Sequence, residues 1–177
     1  MQKENTVRNL SISLLMLAAT AVFSFVEGWF SFGDRLLLWQ IPVLLCGLLA
    51  GAPAGAVVGL LTPFFSFAVT GTPAIFPDAI AMALECMLFG AAASPVFRSF
   101  ARSLAGLYIG LCTAMVTGRL GYMAAMYIMI ELQHTPFSVR SLLNSEFLRV
   151  WPGLLLQLLL IPAAVFGADA LGLLDDE

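Results

Sequence analysis

Two ionisable residues stand in stretches that are otherwise apolar, and they are the residues best suited to chemistry. Arg119, in "VTGRLGYMA" (116–124), has no other charge between Arg102 and Glu131. Glu85, in "AMALECM" (81–87), has none between Asp78 and Arg98. A charge at bilayer depth costs from about 2.5 kcal/mol upward, and it persists where it faces the protein interior and finds a partner. A guanidinium suits a carboxylate, phosphate or carbonyl, and a carboxylate suits an amine or ring N–H. If the two residues neutralise each other, neither points to a ligand.

Their neighbours extend the pattern. Tyr122, Met123 and Met126 follow Arg119 at i+3, i+4 and i+7 and share its helical face. Asp78, Met82 and Glu85 form a similar stripe, and Trp151 and Gln157 open the last apolar segment. Together they would line a cavity holding a cation, carboxylates, an amide and a phenol, the make-up of a pocket for a small polar organic ligand. The alternative is architectural: an Arg–Glu pair locking two helices in register, with a packed Tyr and Met stripe.

Other chemistries lack their residues. The sequence has no HExxH, GxSxG, P-loop or acidic metal cluster, so it reads as a non-enzyme without a cofactor or metal. Cys46, Cys86 and Cys112 have no CxxC or Cys/His spacing and read as small hydrophobes. The single His134 falls in a predicted loop and reads as a surface residue. A net charge of −3 with eight Lys and Arg argues against nucleic-acid binding.

The elements that position Glu85 and Arg119 follow from composition. The chain is 60% hydrophobic and 11% charged, with a mean hydropathy of +0.96. A soluble domain carries about 25% charged residues, so this is an integral membrane protein, read as one domain over 1–177. A crossing needs roughly 20 apolar residues, with about 17 as the lower limit. The charges then fence six transmembrane helices, about 9–26, 36–51, 55–70, 79–97, 103–130 and 150–168. The uncharged run 36–77 is too long for one crossing and breaks at "GAPAG" (51–55). Six spans put both termini on one side with Lys3, Arg8, Arg98 and Arg102, against Arg35, Arg140 and Arg149 opposite. The positive-inside rule makes the terminal side cytoplasmic. The outer connections 27–35, 70–78 and 131–149 carry aromatics, prolines and charges of both signs, as interfacial connectors or as lids.

The stretch "IPVLLCGLLAGAPAGAVVGLLTPFFSFAVTGTPAIFPDAIAMALECMLFG" (41–90), followed by "TGRLGY" (117–122), resembles the substrate-binding S components of energy-coupling factor (ECF) transporters. The Gly-rich second and third spans, "LLTPFFSFAVTGTP", "MALE" and the "GR" of span five carry the likeness most specifically. The resemblance implies an all-α, compact six-helix membrane protein of a prokaryotic plasma membrane. It would capture a vitamin or related micronutrient from outside and topple within the bilayer to deliver it. Its implied partners are a transmembrane T component and two cytoplasmic ATPases, which alone would hydrolyse ATP. The family pocket lies in the outer half, between spans four to six and under the loops joining spans one and two and spans three and four. Carried over, this makes Glu85, Arg119, Tyr122 and Trp151 site candidates and Trp29, Thr72 and Phe76 lid candidates. The first span lacks the Ala-x-x-x-Ala pair usual for T-component contact. Ala18, Thr20, Ala21 and Ser24 offer small surfaces there, with Thr20-x-x-x-Ser24 a loose small-xxx-small match or merely small residues in an apolar helix. The rival reading is a membrane scaffold resembling the rod-shape protein MreD, binding protein partners, with Glu85 and Arg119 structural.

Overall fold

Apolar residues run almost unbroken through each segment, and in lipid only a helix satisfies every backbone N–H and C=O within the segment itself. The computed structural model describes residues 2–29, 36–100, 103–132 and 151–170, with no strand among them. Helix α1 covers Gln2–Gly28, and a 3₁₀ turn, Leu38–Gln40, leads into α2, Ile41–Ala50. Helix α3 is Ala52–Thr70, a wide turn (Ile75–Ala79) precedes α4, Ile80–Ser99, and α5 and α6 are Leu104–Leu132 and Trp151–Ala170.

Five of these are long and apolar enough to cross a membrane, as in a multi-pass membrane protein. The second, expected as a short crossing over about 36–51, is shorter still: the helical stretch Leu38–Ala50 falls below the length of a crossing, so five of the six expected helices are long enough to span. The reason is its surroundings. Val43, Leu44 and Cys46 are fully buried, and α2 packs against α1, α3, α4 and α6. A helix enclosed by protein on all sides has no lipid thickness to match.

The break between α2 and α3 falls at Gly51, inside the "GAPAG" that marked it. Gly51 has φ +92°, a conformation that a side chain would strain, and Pro53 follows in the first turn of α3. The same glycine belongs to a run at every fourth position, Gly47, Gly51, Gly55 and Gly59. This run lets α2, α3 and α4 meet at backbone distance. A Cβ on Gly55 would lie 2.6 Å from the Gly90 carbonyl oxygen of α4 and 2.8 Å from the Gly47 nitrogen of α2. A Cβ on Gly90 would collide with the Gly55 carbonyl in turn.

Helix α1 sits at the rim. Val7, Leu10, Leu14, Leu15, Val22 and Phe25 are exposed along it, a lipid-facing stripe. Its other side turns Thr20 and Ser24 into the bundle, both buried, with Thr20 Oγ1 donating to Met16 O at 2.9 Å. This corrects the reading of Thr20-x-x-x-Ser24 as a partner-facing surface. Of the four residues named for that role, Ala18 is exposed and Ala21 half-buried.

Gly55→Val is expected to destabilise the protein by about 3 kcal/mol, because backbone rather than a flexible side chain occupies the space. Thermal unfolding in detergent reads this, with Gly28→Ala, which has nothing within 4 Å, as a silent control. Equal melting of Gly55→Val and wild type would refute the tight seam.

Candidate functional site

Helices α4 and α5 run side by side, and small residues set their separation. On α5, Gly110 lies against the Ala93 carbonyl and Phe97, Gly118 against Phe89 and the Glu85 carbonyl, and Gly121 against Leu88. Descending α4 thus meets ascending α5, so the register is antiparallel. At this spacing two long side chains from facing helices reach each other. Arg119 Nη1 lies 3.0 Å from Glu85 Oε1, with side chains 5% and 1% exposed. The pair expected from the two isolated charges therefore exists, and it is nearly dry.

Measured along α4, Glu85 is about 21 Å from Ser99 at helical rise, in the half of the bundle away from the α2–α3 turn. One turn beyond Arg119, Tyr122 is buried and packs with Ala81 and Ala125, and Met82, Leu84 and Met126 close over this small cluster. Cys86 and Phe89, fully buried, continue the wall into the main core. A cation, a carboxylate, a phenol and two thioether side chains thus share one region between α4 and α5. Asp78 lies about 10 Å from Glu85 along the chain axis, half-buried in the turn that opens α4, where a negative charge complements the helix N-terminus.

Gln157 is completely buried but belongs to a different cluster. Its Nε2 donates to Leu37 O at 3.2 Å and lies 3.4 Å from Gln40 Oε1, and its Oε1 has no hydrogen-bond partner among the described residues. Leu37 has φ +50°, a left-handed conformation uncommon for a branched side chain. That turn directs its carbonyl to receive both Gln157 and the Gln40 N–H, the latter at 3.1 Å. Glu27 completes the cluster: it is buried and accepts a hydrogen bond from Leu38 N–H, the first donor of the 3₁₀ turn. The sequence places Glu27 at the start of the outer connection 27–35 and Gln40 inside an apolar run; the structure buries both together. The signal was present, since Gln40 is the only amide side chain in the run 36–77.

The remaining candidates are more exposed. Trp151, at the first residue of α6, is 57% exposed, and Trp29 is 79% exposed and lies tilted against Phe25 at 5.6 Å. Thr72 and Phe76 are exposed in the α3–α4 connection, where Ser66 and Thr70 hydroxyls donate to Thr72 O at 3.0 Å each. All four are exposed, at helix ends or in a connection. His134, Arg35, Arg102, Arg140, Arg149 and most of the connections 27–35 and 131–149 lie outside the described residues. Among the described residues no group of His, Cys, Asp and Glu is arranged to hold a metal. All three cysteines are free, with Cys46 and Cys86 buried and Cys112 exposed.

Arg119→Met alone leaves a buried carboxylate and is expected to cost about 3–5 kcal/mol, and Glu85→Leu leaves a buried guanidinium with a similar loss. The double variant is expected to return close to wild-type stability, a coupling that thermal unfolding in detergent measures directly. Additive losses would mean that the two charges do not depend on each other. Gln157→Leu removes a buried donor from Leu37 O and is expected to cost about 1–3 kcal/mol, against less than about 0.5 for Trp151→Leu.

No family model matches the chain, and no curated protein or solved structure matches it significantly.

Proposed function

We propose that this chain is the substrate-binding membrane subunit of an importer of the ECF S-component type, taking a vitamin or related micronutrient from outside. A T component and two ATPases would drive delivery as the subunit topples, with both termini cytoplasmic in a prokaryotic plasma membrane. The observation that carries the reading is the Arg119–Glu85 pair at bilayer depth, with Tyr122 buried one turn away. The guanidinium has five N–H donors, of which Nη1 faces Glu85, so it has the capacity to hold a carboxylate or carbonyl as well. Burial strengthens such a contact by removing competing water.

One observation favours a second reading, a membrane scaffold of the MreD type. At 3.0 Å the two charges already neutralise each other, which is all that locking α4 to α5 requires.

Mass spectrometry of small molecules released on denaturation separates the two. The wild type is compared with Glu85→Leu/Arg119→Met, the double variant expected to keep near-wild-type stability. A stoichiometric compound from the wild type alone is the expected result and names the substrate. Nothing from either protein, after incubation with pooled vitamins and nucleobases, would overturn the binding reading in favour of the scaffold.

A further inference from the structure

Away from the Glu85–Arg119 pair, at the opposite end of α4, a cavity of about 640 Å³ opens where three membrane-spanning helices end. Thr6 and Asn9 of α1 line it, with Ala50–Ala54 of the α2–α3 turn and Ser94, Pro95 and Arg98 of α4. The spans Thr6–Gly28, Ala52–Thr70 and Ile75–Ser99 each have one end here, so the cavity lies where lipid headgroups meet the hydrocarbon.

Three features of its wall favour an anion. The first is the start of α3. Gly55 N–H is the first to find an intrahelical acceptor, Gly51 O at 3.0 Å, and Pro53 has no N–H. Ala52 and Ala54 therefore present donors that no side chain caps, at the positive end of the helix. The second is Arg98, whose Nη2 would lie 3.7 Å from a Cβ on Gly51 and so stands over that same end. Arg98 is exposed, and its planar guanidinium carries five N–H donors.

The third feature is independent of charge. Ser94 is 2% exposed and lines the cavity, yet its hydroxyl makes no hydrogen bond among the described residues. A helical hydroxyl commonly donates to the carbonyl one turn back, as the buried Thr62 does to Val58 O and the exposed Ser99 to Pro95 O. On this nearly buried side chain the hydroxyl is left to the cavity it lines, where it can donate to an acceptor placed there. The remaining walls, Ala50, Ala52, Ala54, Pro53 and Pro95, are small and apolar, which suits a glycerol ester more than a hydrated inorganic ion.

We propose that this cavity binds the phosphate-bearing headgroup of an anionic phospholipid from the adjoining leaflet. The phosphate sits on the start of α3 under Arg98, with Ser94 as a further donor and the glycerol against the Ala and Pro walls. Basic pockets at this depth are suited to such headgroups. The site stands apart from the proposed substrate pocket and does not depend on it.

The test is native mass spectrometry of the full chain in detergent, titrated with phosphatidylglycerol, phosphatidylcholine or inorganic phosphate. The wild type is expected to retain phosphatidylglycerol at least 5-fold better than phosphatidylcholine. Arg98→Gln and Ser94→Ala are each expected to weaken that retention by at least 3-fold. Ala52→Asp serves as the second variant: an acid in the first turn favours the helix while placing a negative charge in the cavity. It is expected to abolish retention without lowering the lipid-free melting temperature. Equal retention of the two lipids, or unchanged retention in Ala52→Asp, would overturn the proposal. Binding of inorganic phosphate without retention of phosphatidylglycerol would also overturn it, since the cavity would then take a free anion.

Discussion

Two apolar helices gain little by leaving lipid for each other, so in a bilayer close packing and buried polar contacts do the work that the hydrophobic effect does in water. Helix α4 is where this constraint acts most heavily. It meets α3 and α2 through Gly90 against Gly55 and Gly47, and α5 through Gly110, Gly118 and Gly121. At each of these positions backbone or a large side chain fills the space that a Cβ would need. Dispersion contacts and short-range electrostatics both fall steeply with distance, so the glycines set how strongly the helices hold.

The Arg119–Glu85 pair depends on that spacing. Gly118 places α5 flush against Phe89 and the Glu85 carbonyl, and Arg119 is the next residue along. A guanidinium at bilayer depth would otherwise have to snorkel to an interface or draw water inward. Here it finds a carboxylate at 3.0 Å in a nearly dry setting. The same arrangement serves a register lock or a ligand pocket, because each needs paired charge held by rigid backbone.

Helix α2 obeys a related rule by a different route. Too short to span, it is surrounded by α1, α3, α4 and α6, and its start is held by polar groups rather than by lipid-depth anchors. Glu27 accepts from Leu38 N–H, while Leu37 O takes Gln157 and Gln40 N–H. Its end is turned by Gly51, beside the cavity under Arg98. One end of the helix is thus held by an acceptor from Glu27 and a donor from Gln157, and the other opens onto the cavity beside Arg98.

The sequence alone determined the membrane class, the approximate limits of the helices and the presence of two opposite charges inside them, because hydropathy and the cost of burying charge are local properties of the chain. It also located the break at "GAPAG", where Gly and Pro end a helix by backbone geometry. Tertiary structure decided what depends on neighbours. The length a helix needs depends on whether lipid or protein surrounds it; the charge-free run 36–77 already implied two short helices, but only the bundle shows α2 enclosed by protein. Thr20 and Ser24 turned inward, and Gln157 joined Gln40, Leu37 and Glu27 instead of Arg119, because the rotation of each helix about its axis is fixed by packing. Periodicity says which residues share a face; only the packed bundle says what that face meets.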